Sequence, residues 1–419
     1  MKLNTRLRLR RWLVWAARIV TGATFIVSGW AKAVDPWGFI IKVGEYLSVW
    51  HLSVPHEAIV TGCAALACVE FATGIMLATG SLKRSSALVA TAMMAFMLPL
   101  TVYIAVAEPV ADCGCFGDLW HISNGATLAK NVVLTALAVY LLLRNRTVPG
   151  LYAAPVQWLE LTGALAFPLV LVFAGYHVQP VVDFRDYPVG STVFAGTGGL
   201  SGQPRQEVYI YEKDGRRAEF GLDELPDSTW TFVDVVGDEH LGSAFGGGIE
   251  VHDEGGYDVA ADLADETGRR LFIVIPEPDM HYLIHAHYVS RLAQWCRRYG
   301  TAICAVVGQG GDGAEKWADW TRPDFDIYTA DATALKQMVR GREGVVYADG
   351  GVIRWKRTLA SMPPTVPDGG ADALHRLTPP DDGTFHTRAV LVLAAWLVVV
   401  YLLSLSPAAL RLLTRKARK

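Results

Sequence analysis

Charge is scarce in this chain. Only 19% of its 419 residues are charged and the formal net charge is −3, so bulk electrostatics gives no case for nucleic-acid binding. Cysteine is scarce too: six are too few for a disulfide-rich secreted scaffold. No internal repeat is visible, and no inverted repeat or pair of broken apolar segments supports a small-molecule transporter. What the chain has is apolar residues, 52% of the total, gathered into blocks. It also has 13 tryptophans, several beside block ends, where amphipathic rings favour a membrane interface.

The blocks run over about 12–33, 58–78, 86–107, 126–143, 155–176 and 389–405. Each falls within the ~17–25 residues that cross a hydrocarbon core. The first is too long for a signal-peptide core, and no small-residue cleavage site follows cleanly, so it reads as a retained transmembrane helix. Basic residues set the orientation. Lys2, Arg6, Arg8, Arg10 and Arg11, then Lys83 and Arg84, Arg144 and Arg146, and finally Arg411, Arg415, Lys416, Arg418 and Lys419 all fall on one side when six spans are threaded. The positive-inside rule makes that side the cytoplasm. The expectation is a multi-pass inner-membrane protein in contact with lipid, both termini cytoplasmic, with residues 177–387 in the periplasm.

Between the fifth and sixth blocks the composition changes. Residues 181–199 read as loop-rich. EVYIYEKDGRRAEF, residues 207–220, reads as a hairpin around Asp214-Gly215, and 229–236 as another β-prone run. Residues 246–256 are glycine-rich and read as a loop. The order then becomes strand 270–275, amphipathic helix 285–299, strand 302–307, helix 314–321, strand 325–329, helix 332–340, and a hairpin 345–355 turning at Asp349-Gly350-Gly351. That is an α/β order. Residues 363–382 form a Pro/Gly/Asp-rich linker to the last span.

The sharpest chemical signal is Asp112-Cys113-Gly114-Cys115-Phe116-Gly117-Asp118, a short loop between two apolar blocks. Two thiols separated by one glycine can close into a small, strained disulfide, and strain makes such a bridge labile. A structural bridge rarely closes so small a ring, which favours redox use. Asp112 and Asp118 are expected to raise the thiol pKa unless Lys130, about one turn inside the fourth block, offsets them. His121 follows closely and, as a neutral base, suits deprotonation of a thiol; a solvated interface histidine is the plainer reading. Cys63 and Cys68 sit five apart, roughly 140° around a helix, and do not face each other. They read as small packing residues, with Cys63 near enough to the outer side to reach the loop as a relay.

Charged residues inside spans are expensive and functional by default. Glu70 falls roughly 18 Å from the outer start of its helix, and Arg18 about 9 Å from the inner start of the first. In a core of ~30 Å these depths nearly coincide, so an Arg18–Glu70 pair is expected, fixing helix register or serving a proton or quinone role. His281 and His285 have the i, i+4 spacing of a metal pair, but no third ligand is fixed, and no metal is assigned. Cys296 and Cys304 read either as buried thiols or as a structural pair.

Two stretches carry a family resemblance. Phe25-Ile-Val-Ser28-Gly29-Trp-Ala-Lys32-Ala-Val-Asp35-Pro36-Trp-Gly-Phe39 resembles the first-helix signature of DoxX-type membrane proteins, and Glu70-Phe-Ala-Thr-Gly74-Ile-Met-Leu77-Ala-Thr-Gly80 their second-helix pattern. The Asp-Cys-Gly-Cys-Phe-Gly loop, followed by Lys130 and Asn131, is similar to the MauE-like branch of that superfamily. The resemblance covers about residues 10–145 and implies a four-helix membrane bundle associated with redox processes. By element order, about 268–360 resembles a thioredoxin-like fold. It departs from that family after the strand ending at Ile275, where Pro276-Glu-Pro-Asp-Met-His281 replaces Cys-x-x-Cys, and at Glu343-Gly344, where thioredoxins keep a cis-proline.

The expected architecture is thus an α-helical bundle of six transmembrane helices with a DoxX-like four-helix core, plus a periplasmic, thioredoxin-like α/β domain. Its parts are residues 1–146, a fifth helix in 147–176, the outer domain 177–387, and a sixth helix with basic tail in 388–419. Two functions compete. One is a thiol–disulfide relay between an exported partner protein and the membrane through Cys113 and Cys115, with electrons passing to or from a carrier such as a membrane quinone. The other is a non-catalytic anchor or assembly factor whose outer domain binds a partner protein.

Overall fold

The computed structural model describes residues 2–107, 113–120, 122–180, 182–195, 208–213, 216–221, 231–236, 248–264, 268–278, 283–309, 313–363, 372–375, 377–378 and 382–406. The chain divides into two compact units, residues 1–183 with 380–419, and residues 184–379.

The first unit is helical. Helix α1 (Lys2–Val34) is followed directly by α2 (Pro36–Val49), α3 (His56–Thr79), α4 (Lys83–Ala107), α5 (Asn124–Arg144), α6 (Gln157–His177) and a C-terminal helix, Asp382–Leu405. Six of these segments, all but α2, are long and apolar enough to cross a membrane. Helix α1 lies along α3, α4 along α5, and α6 against both α3 and α1. The α1–α3 contact is made by glycines. A Cβ on Gly29 would stand 2.5 Å from the Phe71 nitrogen, and one on Gly74 would stand 2.6 Å from the Ile26 nitrogen. Small residues let helix backbones touch where lipid supplies no hydrophobic drive, so packing holds the pair.

Helix α2 is absent from the sequence-based expectation. Its start was nonetheless written in the chain: Asp35 caps it, accepting from the Gly38 nitrogen at 3.0 Å, and Pro36 occupies the first turn.

The second unit holds two sheets. Strands β1 (Val208–Lys213), β2 (Arg216–Gly221) and β3 (Thr231–Val236) form an antiparallel sheet in the order β2-β1-β3. The hairpin is as expected; its turn residues lie outside the described residues. The larger sheet contains β4 (Val251–His252), β5 (Arg269–Ile275), β6 (Ala302–Gln309), β7 (Ile327–Asp331), β8 (Gly344–Asp349) and β9 (Val352–Thr358), in the order β4-β7-β6-β5-β8-β9. Strand β4 lies within the glycine-rich stretch expected to be loop. Strands β5, β6 and β7 are parallel, while β8 and β9 run antiparallel. Helices α7 (Ala260–Leu263), α8 (Leu283–Arg298), α9 (Gly313–Thr321), α10 (Ala332–Met338) and α11 (Asp372–His375) complete the unit.

Alternation along β5 gives the larger sheet two cores. Leu271, Ile273 and Ile275 pack with Leu292 and Trp295 of α8 and Trp317 of α9. Phe272 and Val274 pack with Leu335 and Met338 of α10 on the other side. Cys296 belongs to the first core and Cys304 to the second, so the sheet separates them; both are buried free thiols, not a structural pair.

Candidate functional site

The glycine contact between α1 and α3 sets the register of two charged residues. Lys32, one turn beyond Gly29, meets Glu70, one turn before Gly74, with Nζ 2.6 Å from Oε2. Both side chains are largely buried. The ammonium has three donors and spends them on three acceptors: Glu70 Oε2, Ser28 Oγ at 2.7 Å, and the carbonyl oxygen of Cys115 at 2.9 Å. Ser28 Oγ donates to the same carbonyl at 2.6 Å. The ion pair thus anchors the backbone of the Cys113–Cys115 loop as well as neutralising a buried carboxylate.

Helix α2 closes the site from the other side. The Tyr46 hydroxyl donates to the Cys113 carbonyl oxygen at 3.1 Å. Gly114 has φ +64°, so the backbone angle favours glycine, and a Cβ there, 2.6 Å from Lys42 Cγ, would also have to displace the Lys42 side chain. Lys130 of α5 holds its Nζ 4.3 Å from the centre of the Phe116 ring, a cation–π contact.

The two thiols are free and face each other, Sγ to Sγ 2.8 Å, in hydrogen-bonding contact. The pair is electrostatically unequal. The hydrogen bond from Cys113, with the charges of Lys130 and Lys32, outweighs burial and brings the Cys115 thiol below the ordinary cysteine range. Cys113, as the donor and a buried thiol, is pushed well above the ordinary cysteine range. Of the two, Cys115 is the sulfur that gives up its proton more readily, and the thiolate is the reactive form. Lys130, expected to offset the flanking aspartates, is one of the charges that lower both thiols. Asp112 lies outside the described residues, as does His121.

One expected pairing is corrected. Arg18 does not reach Glu70. Its guanidinium is fully buried and donates to Asn145 Oδ1 at 2.7 Å and to the carbonyls of Asn145, Val148 and Pro149 at 3.0, 2.8 and 2.9 Å. The part of α1 from Arg18 to Lys32 is roughly 21 Å long, so Glu70, level with Lys32, stands near the other end of the bundle. Depth counted from block edges placed both charges too near the middle, and the carbonyls between Asn145 and Pro149 fold back to capture the arginine.

Cys63 is buried against Phe39 and Ile40, in a cluster separate from Cys113. In the second unit, His285 Nδ1 pairs with Glu343 Oε2 at 2.7 Å; His281 lies outside the described residues. Among the described residues no group of His, Cys, Asp or Glu is placed to hold a metal ion.

Sequence reasoning missed Lys32, Ser28 and Tyr46. Lys32 and Ser28 stood in plain view within the motif around Gly29, as a polar i, i+4 pair inside an apolar block. Every residue of the site lies between Ser28 and Asn131.

Residues 10–144 match the family model of methylamine utilisation protein MauE. The matched stretch holds the whole thiol site, including Lys32, Glu70 and Lys130, and the spans α1, α3, α4 and α5. This part of the chain is MauE-like, a multi-pass helical bundle. Residues 207–236, the small β1–β3 sheet, match a domain of unknown function (DUF8463). No curated protein and no solved structure matches the chain.

Proposed function

We propose that this protein is a membrane thiol–disulfide relay in which the oxidised Cys113–Cys115 pair takes electrons from a dithiol of an exported partner protein. The observation that carries the reading is the paired thiols with unequal proton affinity, held by Lys32, Ser28 and Tyr46 through their own backbone. A stabilised Cys115 thiolate stabilises the reduced pair, which makes the disulfide a stronger oxidant. That favours electron flow from partner to loop.

The basic residues support an orientation with this site on the periplasmic side of the inner membrane. Lys83, whose carbonyl accepts from Asn145, and Arg18 belong to the end of the bundle opposite the thiols. The second unit supports a partner-binding role. Its inner strand order β6-β5-β8-β9, with β5 parallel to β6 and antiparallel to β8, supports a thioredoxin-like reading of this unit, and the segment directly after β5 lacks Cys-x-x-Cys. The competing reading, a non-catalytic anchor, draws on that same lack of cysteines.

Trapping separates the two. A Cys113→Ala variant leaves Cys115 to hold a mixed disulfide that the missing cysteine cannot resolve, and Cys115→Ala does the converse. The relay predicts a covalent, reductant-sensitive adduct with an exported protein for at least one variant. Absence of any adduct from both, with the protein at normal abundance, favours the anchor.

A further inference from the structure

The thiol pair has a second neighbour besides any exported partner. A cavity of about 510 Å³ lies inside the bundle directly beneath it. Cys113, Cys115 and Phe116 form one wall, and Lys32, Glu70, Lys130 and Asn131 bring its few polar groups. The rest is apolar, with Phe25, Met94, Met97, Leu100 and Leu134 prominent. Small-molecule sites of ~300–1,000 Å³ have this make-up, an apolar body with a few convergent polar groups.

The mouth of the cavity points sideways. Leu66 of α3 and Phe96 of α4 line it and are 40% and 66% exposed, each within a span. Exposed apolar residues at that depth face lipid, so whatever enters does so from the membrane and is itself lipid-soluble.

We infer that this cavity binds a membrane quinone, which reoxidises the Cys113–Cys115 pair. The inference rests on the relay reading and supplies its missing half. A dithiol that has collected two electrons must pass them on, and a lipid-soluble two-electron acceptor with ring carbonyls fits both the mouth and the polar wall. Lys130 is suited to donate to a ring carbonyl: its ammonium sits on the cavity wall over Phe116 and pairs with no carboxylate among the described residues.

The step balances. The Cys115 thiolate adds to an electron-poor ring carbon, forming a C–S bond. Cys113 gives up its proton, and its sulfur attacks Cys115 Sγ. The S–S bond forms and the C–S bond breaks, leaving its electron pair on the ring. The ring takes the Cys113 proton and one from the Lys130 ammonium, which recovers a proton from solvent. The dithiol is oxidised by two electrons and the quinone reduced to the quinol.

The test uses the full-length protein in lipid nanodiscs, its dithiol reduced beforehand and oxygen removed. Decylubiquinone is added, and quinol is followed by absorbance while the thiols are counted by alkylation and mass. The expected result is one quinol formed per disulfide, none with Cys113→Ser, and a rate lowered about tenfold or more in Ala92→Trp, which fills the cavity mouth. Leu66→Trp, on the facing helix, is the second blocking variant if Ala92→Trp does not fold. Exchange with a soluble disulfide is measured on the same wild-type sample. Soluble exchange without quinol formation overturns the quinone site and leaves the relay standing; loss of both overturns the relay as well. Wild-type quinone rates in a folded mouth-blocking variant overturn the assignment of the cavity.

Discussion

At the scale of single residues, the proposed relay depends on the inequality of two sulfurs. Cys115 owes its lowered pKa first to the Cys113 hydrogen bond, then to Lys130 and Lys32. Alkylation of Cys115 should therefore rise with pH around a midpoint below that of an ordinary cysteine, and Cys113→Ala should move that midpoint upward by removing the largest cause. A midpoint unchanged by the substitution contradicts the assignment of thiolate and donor. Lys32 carries a second prediction. Lys32→Met strands a buried carboxylate at Glu70 and frees the Cys115 carbonyl, so the bundle should lose about 3–5 kcal/mol and Cys115 should become less acidic. Thermal unfolding and the same alkylation profile measure both. The sulfurs, Glu70 and Lys130 were legible in the sequence because rare polar residues stand out in apolar blocks. Their partners were not, because a lysine satisfied by a carboxylate, a hydroxyl and a carbonyl is known only once three segments are brought together.

At the scale of elements, the α1–α3 glycine contact fixes the site. Gly74→Leu forces side-chain atoms into the backbone of α1 near Ile26, where nothing flexible can give way. The expected cost is roughly 3 kcal/mol or more, together with loss of the Lys32–Glu70 register. A variant with wild-type stability contradicts the close contact. The sequence made the six spans plain, since length and hydropathy suffice. It did not make Arg18 plain: a cation's depth follows from where loops fold, and the segment after Asn145 folds back. Helix α2 is hard to see in the sequence for a related reason, since its Asp-Pro cap lies inside the motif that begins at Phe25.

The His285–Glu343 pair is another element-scale contact, joining the start of α8 to the loop before β8. The hydrogen bond that His285 Nδ1 donates to the Glu343 carboxylate raises His285, while burial raises Glu343. Each folded pKa lies above its unfolded value, so each group's contribution is complete below the unfolded pKa and lost as pH rises through the folded one. Stability of the second unit should thus decline as pH climbs from ~6.5 through the raised histidine value, and His285→Gln should flatten that decline. Thermal unfolding of the full chain across this range tests it; a slope of opposite sign contradicts the pairing.

At the scale of the whole molecule, the chain joins a MauE-like helical bundle to a separate mixed-sheet unit. The succession of strands and helices from β5 to β9 is largely readable along the chain, because RLFIVI and its neighbours show buried-strand composition and β8 and β9 turn at two adjacent glycines. The separation of Cys296 from Cys304 was not, since only sheet register puts them on opposite faces. Orientation gives a prediction of its own. A cysteine placed at Tyr257, 74% exposed, should react with a membrane-impermeant maleimide from the periplasmic side, and labelling only after lysis contradicts the topology.

The central claim is that Cys113 and Cys115 cycle. Its most direct measurement is the redox state of these two thiols in intact cells, quantified by rapid acid quenching and differential alkylation, with and without a working respiratory chain. A cycling pair is expected as a mixed population that shifts toward dithiol when respiration stops and toward disulfide when it resumes. A pair fully oxidised, or fully reduced, under both conditions contradicts it.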